Sequence, residues 1–266
     1  MIFGYASILV QIDPNGIATL TLNRPDVHNA FDDTMVAEML RALNDLANDP
    51  SVRVLVLKSV GKHFSAGADI SWMQKMAQYD EMANLKDADV LAQLMYQLHR
   101  FRKPTVAIVQ GNAYGGGVGL IACCQMVIAA SSAQFCFSEV KLGLIPAVIS
   151  PYIVKAIGQR NTRAYFLNAK TFDATTAQQM GLCHEIVPLE TLDEAAAQLI
   201  ASLLKNGPLA QVAVNELMDK LQTLDINETL ISMTAKTIAT LRVSPEGQEG
   251  LNAFIQRREP SWSKTQ

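Results

Sequence analysis

Two glycine-containing stretches carry the clearest chemical signal in the chain: HFSAGAD at 63–69 and NAYGGGVG at 112–119. Each follows a short apolar run with strand character, and each opens a run with helical periodicity. The first N–H groups of a helix have no partner within it and lie at the positive end of its macrodipole, so they attract negative charge to that end. Two such loops facing one another could hold a single oxyanion. One loop alone would be read as a tight turn.

Rival readings of the glycines fail on spacing. Gly115 and Gly117 match the start of a dinucleotide fingerprint, but Leu120 stands at the third glycine position. Gly61-Lys62 is followed by His63 rather than Ser or Thr, which excludes a phosphate loop, and the chain has no G-x-S-x-G elbow for a serine hydrolase.

The elements that must position these loops can be read from periodicity. Residues 8–12 and 17–22 flank Pro14-Asn15-Gly16 and read as a hairpin. After NRPDVHNAF, Asp32 or Asp33 is expected to cap a helix whose apolar face is Met35, Val36, Met39, Leu40, Leu43 and Leu46. Residues 53–58 (RVLVLK) read as a buried strand leading into the first loop, with a helix starting near Asp69. A helix over 85–101 is stopped before Pro104, and the strand 105–109 leads into the second loop and the helix VGLIACC. Strands are expected at 126–130 and 134–137. Beyond Pro151 the pattern is helical almost throughout, clearest at 193–204, 209–221 and 244–257.

Composition narrows the function classes. A formal charge of −3 over 266 residues, without clusters of Lys and Arg, argues against nucleic acid as a partner. The longest apolar run, 118–130, contains Gln125 and is too short to span a bilayer, so no membrane partner is expected. Cysteines at 123, 124, 136 and 183 show no C-x-x-C spacing, and with four histidines they give no metal signature. Reduced core thiols and a cytoplasmic location are the expectation, and MIFGYASILVQI lacks the pattern of a secretory signal.

Five ordered segments, NRPDVHNAF, HFSAGADI, IVQGNAYGGGVGL, FSEVKLGLIP and QMGLCHEIVP, resemble the enoyl-CoA hydratase/isomerase, or crotonase, family, and the closing SPEGQEGLNAFIQRREPSW is similar to that family's last helix. The resemblance implies an α/β fold: a spiral of ββα units over 1–190 carrying the coenzyme A and acyl site, and a C-terminal helical trimerisation region over 191–266. Homotrimers or homohexamers are implied as well. The oxyanion-hole amides would be those of Ala68 and Gly116. Coenzyme A would arrive as part of an acyl thioester substrate, not as a cofactor, and would lie along backbone groups around Ala66, Ala68, Asp69 and Ile70.

Hydratases of this family carry two glutamates. The resemblance places one at Glu139, where a catalytic role is expected, but the other would stand at position 119, where this chain has Gly119. Position 119 is nearly one helical turn past Gly116 and so on the same side of the helix. Glycine within a helix costs about 0.5–1 kcal/mol relative to alanine, so room for a bulky acyl group is the expectation there, with a close helix contact as the alternative. The segments GGGVGLIACCQMVIA, FSEVKLGLIPAVISPYIVKAIG and SAGADISWMQKM are more closely similar to bacterial methylglutaconyl-CoA hydratases of leucine breakdown and related enzymes of acyclic terpene breakdown, which implies water addition to a branched 2-enoyl-CoA, with or without a carboxyl group, such as 3-methylglutaconyl-CoA. Isomerisation, decarboxylation and non-catalytic acyl-CoA binding stay open. Lys141, His184, Tyr114 and Ser138 are the candidates to meet a substrate carboxylate, and His63 is expected to cap the first loop or stay solvated, with a contact to coenzyme A as the alternative.

Overall fold

The computed structural model describes residues 2–221 and 224–263. A seven-stranded sheet runs in the order β1 (Ile2–Phe3), β2 (Ile8–Ile12), β3 (Ile17–Leu22), β4 (Val54–Ser59), β5 (Thr105–Val109), β7 (Met126–Ala130), β10 (Glu185–Val187). Antiparallel pairing is confined to β1–β2–β3, and every later neighbour is parallel. The apolar runs of the central strands are buried on both faces, which explains why they do not alternate with polar residues. Leu55, Leu57, Ala107, Val109, Val127 and Ala129 join the main core with α1 (Asp33–Asn48), α3 (Glu81–His99) and α4 (Gly116–Cys123). Val54, Val56, Val106, Ile108, Ile128 and Ala130 face the other way, onto Leu192, Ala196 and Ile200 of α7 (Leu192–Leu204).

A second, smaller sheet runs beside the first. Its strands are β6 (Ala113–Tyr114), β8 (Gln134–Cys136) and β9 (Phe172–Asp173), and isolated parallel bridges join Ser65 to Ala113 and Phe31 to Ala68. Each turn of the chain therefore adds a strand to the large sheet, a short pairing to the small one, then a helix. The helices concerned are α1, then α2 (Ile70–Met76) with α3, then α4, then α5 (Ser150–Asn168). This is the expected spiral of ββα units. The two short strands β9 and β10 interrupt the stretch expected to be helical beyond Pro151. Two or three residues are too few to display a period, so pairing with β8 and β7 decides their conformation.

α6 (Ala174–Met180) precedes β10, and α8 (Pro208–Leu221), α9 (Glu228–Val243) and α10 (Pro245–Ile255) close the chain. The boundary expected at 190/191 falls just before α7, yet α7 covers one face of the large sheet and belongs to the core by its packing. Beyond it the chain is tied back by polar contacts. Arg53 donates to the carbonyls of Trp262, Leu204 and Asn206, Asn215 donates to the Arg102 carbonyl, and Arg100 and Arg102 pair with Asp219 and Glu216. No helix among the described residues is long and apolar enough to cross a membrane.

One buried amide side chain ties the first glycine loop to the end of β3. Asn29 is fully buried, accepts from the Arg24 N–H at 2.9 Å, and donates to the carbonyls of Val60 and His63 at 2.8 and 2.9 Å. Its φ of 55° is a left-handed conformation that Asn adopts at lower cost than most residues. Asn29→Ala should therefore destabilise the fold by about 2–4 kcal/mol, since three hydrogen bonds at about 1 kcal/mol each are lost and polar groups are left buried. Urea unfolding of the two proteins at equal concentration measures this.

Candidate active site

The two glycine loops lie side by side because their backbones pair. Phe64 N–H donates to Asn112 O at 2.9 Å and Tyr114 N–H to Ser65 O at 2.9 Å. The approach is close: a Cβ on Gly67 would stand 3.2 Å from Tyr114 O, and one on Gly117 would stand 2.8 Å from Ser65 Cβ. Gly67 also has φ +89°, which a larger residue would adopt only with strain.

Phe31 links the two expected amides. Its N–H donates to Gly67 O at 2.7 Å and its carbonyl accepts from Asp69 N–H at 2.8 Å, so its backbone bonds on either side of Ala68 and leaves the Ala68 N–H without an acceptor among the described residues. The Phe31 ring then reaches the second loop, with Cε2 2.7 Å from where a Cβ on Gly116 would lie. Gly116 is the first residue of α4, capped by Gly115 at φ 48°, ψ −118°, and its N–H likewise has no acceptor among the described residues. Ala68 sits one residue ahead of the cap of α2, where Asp69 accepts from Ser71 N–H. Two N–H groups without an acceptor among the described residues thus stand on loops whose backbones pair, and Phe31 touches both loops.

Glu139 begins a 3-10 turn, Glu139–Leu142, just after β8. Its Oε1 lies 2.8 Å from the Cβ position of Gly115, which places the carboxyl group against the residue preceding Gly116. Its Oε2 is buried and has no hydrogen-bond partner among the described residues. Burial pushes its pKa above the ordinary carboxylate value, opposed only by a hydrogen bond from its own backbone.

Gly119 overturns one expectation. No open space faces it: a Cβ there would overlap Cγ2 of Ile149 and would stand 2.9 Å from Ile149 Cβ and 3.3 Å from Met95 Cε. Both neighbours are buried, so the glycine serves a close contact between α4 and the start of α5 rather than room for an acyl group. The sequence shows nothing of this, because Ile149 lies thirty residues away.

The other expected residues divide. Tyr114 and Ser138 adjoin Gly115 and Glu139 in the chain, and Lys141 is exposed on the Glu139 turn. His184 is apart from them: its Nδ1 accepts from Val127 N–H at the N-terminal end of β7, whereas the glycine loops follow the C-terminal ends of β4 and β5. His63 caps nothing. Its ring packs edge-on against His28 at 4.7 Å between centroids, its Nδ1 is buried without a partner among the described residues, and burial, His28 and Lys62 lower its pKa in that order. Ala66, Ala68 and Ile70 are exposed along the first loop, but the N–H groups of Ala66 and Asp69 are already engaged by His28 O and Phe31 O, and the Asp69 side chain is turned inward. A cavity of about 890 Å³ opens elsewhere, between the C-terminal ends of α3 and α4 and the helix α8. Its carboxylates, Glu216 and Asp219, are paired with Arg102 and Arg100.

Residues 13–265 match the family model of enoyl-CoA hydratase/isomerase. The chain belongs to that family. An enoyl-CoA hydratase from Shewanella pealeana, solved as a crystal structure, superposes with a TM-score of 0.93 at 46% identity, covering 97% of this chain and 96% of that one. The 2,3-dehydroadipyl-CoA hydratase of Escherichia coli is 30% identical over 247 residues, 92% of this chain and 94% of the relative. The hydroxycinnamoyl-CoA hydratase-lyase of Pseudomonas fluorescens is 30% identical over 256 residues, 94% of this chain and 92% of the relative. The enoyl-CoA hydratase/isomerase fold and an enzyme of the enoyl-CoA hydratase type follow from these likenesses together.

Two outcomes test this geometry. Gly119→Ala should cost about 1–3 kcal/mol through overpacking, and Ile149→Ala in the same chain should recover part of that loss; denaturant midpoints of the three variants decide it. Glu139→Gln should raise the melting temperature at pH values above the ordinary carboxylate range. The raised native pKa means that the folded state holds its proton while the unfolded chain has lost it, so stability falls with rising pH across that window and the amide is exempt. Below the unfolded pKa the two proteins should converge, which melting curves taken from acid to neutral pH will show.

Proposed function

We propose that this enoyl-CoA hydratase-type enzyme adds water to a 2-enoyl-CoA with the N–H groups of Ala68 and Gly116 as its oxyanion hole and Glu139 as its proton-transfer group. The observation that carries the reading is the Glu139 carboxyl group, with one buried, unpartnered oxygen, packed against Gly115 just before the Gly116 N–H, while the N–H groups of Gly116 and Ala68 have no acceptor among the described residues. Glu139 takes a proton from water as its oxygen bonds to C3, and the C2–C3 π pair moves toward the thioester oxygen, whose charge the two amides hold. The protonated carboxyl group then delivers that proton to C2, and the carbonyl re-forms. Syn addition lets one carboxylate serve both steps. Its raised pKa brings the donor and acceptor forms closer together near neutral pH.

Within this class the substrate we favour is branched and carboxylated, of the 3-methylglutaconyl-CoA kind. Met95 and Ile149 close the wall behind Gly119, which disfavours a long straight chain on that side, and Lys141 offers an exposed cation on the Glu139 turn. For coenzyme A, the exposed Ala66 and Ala68 supply carbonyl acceptors and Ile70 an apolar face, since the neighbouring N–H groups are engaged. A trimeric or hexameric assembly is favoured by the apolar side chains left outward on the tail, among them Val243, Phe254 and Ile255, each at least three-quarters exposed.

Incubating the protein with 3-methylglutaconyl-CoA and with straight-chain 2- and 3-enoyl-CoAs, with products followed by mass, should give an adduct heavier by one water, formed fastest from the branched substrate. Double-bond migration without a water adduct would make the protein an isomerase. Glu139→Gln should lower turnover about 10²–10⁴-fold with binding retained. The acid limb of the pH profile should sit above the ordinary carboxylate range and vanish in that variant.

A further inference from the structure

Arg24 stands at the centre of a polar knot that reaches the Ala68 peptide from three directions. Its Nη1 donates to Ala30 O at 2.7 Å, while Nη2 meets Asp69 Oδ2 at 3.0 Å and Asp32 Oδ2 at 3.1 Å. Each of these carboxylates uses its other oxygen to cap a helix. Asp32 Oδ1 accepts from Met35 N–H at the start of α1, and Asp69 Oδ1 accepts from the N–H and hydroxyl of Ser71 at the start of α2, at 2.8 and 2.6 Å. The Ser71 hydroxyl, with Arg24 adding to it, holds the Asp69 pKa below the usual carboxylate range against its burial.

The connection to Ala68 is covalent on one side and hydrogen-bonded on the other. Asp69 follows Ala68 directly, and Ala30 O belongs to the peptide that supplies the Phe31 N–H bonded to Gly67 O. One guanidinium thus spans the two segments whose pairing leaves the Ala68 N–H free. We infer that Arg24 is a positioning residue for the oxyanion hole, fixing the direction of the Ala68 N–H by clamping Asp69, Asp32 and the Ala30 carbonyl together. The inference rests on the proposed role of Ala68 and Gly116. Without Arg24, Asp69 and Asp32 would face each other as like charges, the Asp69 carboxylate being nearly buried, and the peptide between Gly67 and Asp69 would turn to separate them. Lysine would restore the charge but not the planar fork that serves three acceptors at once.

The test measures how strongly the hole polarises a bound carbonyl. Crotonyl-CoA labelled with ¹³C at the thioester carbonyl is bound to the Glu139→Gln parent and to the same parent carrying Arg24→Met or Arg24→Lys, and the carbonyl stretch is read by isotope-edited infrared difference spectroscopy. The expected result is a band moved to lower frequency in the unaltered hole, most of that movement lost in Arg24→Met, and a partial return in Arg24→Lys. With Glu139 present, kcat should fall about 10- to 100-fold with KM changed less than about threefold. A full band shift in either Arg24 variant, or a KM that rises while kcat holds, would overturn the role of Arg24 and leave the oxyanion hole standing. No band shift in the parent would remove the hole itself and this inference with it. Arg24→Lys decides alone if Arg24→Met does not fold.

Discussion

The proposed site depends on two peptide N–H groups that meet no acceptor among the described residues. An unpaired amide is costly when buried, so a fold leaves one free only where its surroundings permit no better arrangement. At Ala68 that arrangement comes from Phe31, whose two backbone bonds go to the residues before and after it. At Gly116 it comes from the start of a helix, where the first N–H has no turn before it to bond. The two loops lie close enough for Phe31 to serve both because Gly67 and Gly117 present no side chain where the backbones touch. The large sheet matters to function mainly through this: parallel β4 and β5 deliver both loops at the same end, in register.

Burial acts in the same sense on Asp69 and Glu139, raising both pKa values, yet the net shifts run in opposite directions. Asp69 is almost wholly buried but stays ionised, because its contacts with Ser71 and Arg24 outweigh the loss of water. Glu139 has a buried oxygen with no partner among the described residues, so burial dominates and its proton is held more tightly. A carboxylate made permanent serves architecture, and one left in need of a hydrogen bond is ready for chemistry. Satisfied and unsatisfied groups flank the same pair of loops, and the difference between them lies in their neighbours rather than in residue type.

Much of this arrangement was legible in the residues. Apolar strands, an aspartate cap at 32 or 33 and the strand–loop–helix order around both glycine stretches are all readable, because each is a local pattern in chain order, and the fold places the cap at Asp32. What escaped were features made by residues distant in sequence or too short to have a period. The strands β9 and β10 owe their state to pairing, and nothing in the periodicity of α7 tells which surface its apolar face covers. Arg24 was visible in NRPDVHNAF as part of a motif, but its partners lie eight and forty-five residues on, and only the fold brings Asp32 and Asp69 to one guanidinium. Likewise His184 stood beside Glu139 in motif order and yet lies at the other end of the sheet.

Gly119 shows how an absence in a sequence can mislead when its cause is a contact. A missing side chain suggests vacant space, but the space was already filled by Ile149, itself held where α5 begins and where Glu139's turn packs against that helix. A carboxylate at 119 would have to displace a buried isoleucine and bury its own charge against Met95, two penalties with no partner in sight to offset them. The packing that closes this wall therefore leaves no place for an acid or base at position 119. If Glu139 carries the proton transfer as proposed, one carboxyl group has to serve both C2 and C3, and syn addition of water is the scheme that lets it do so.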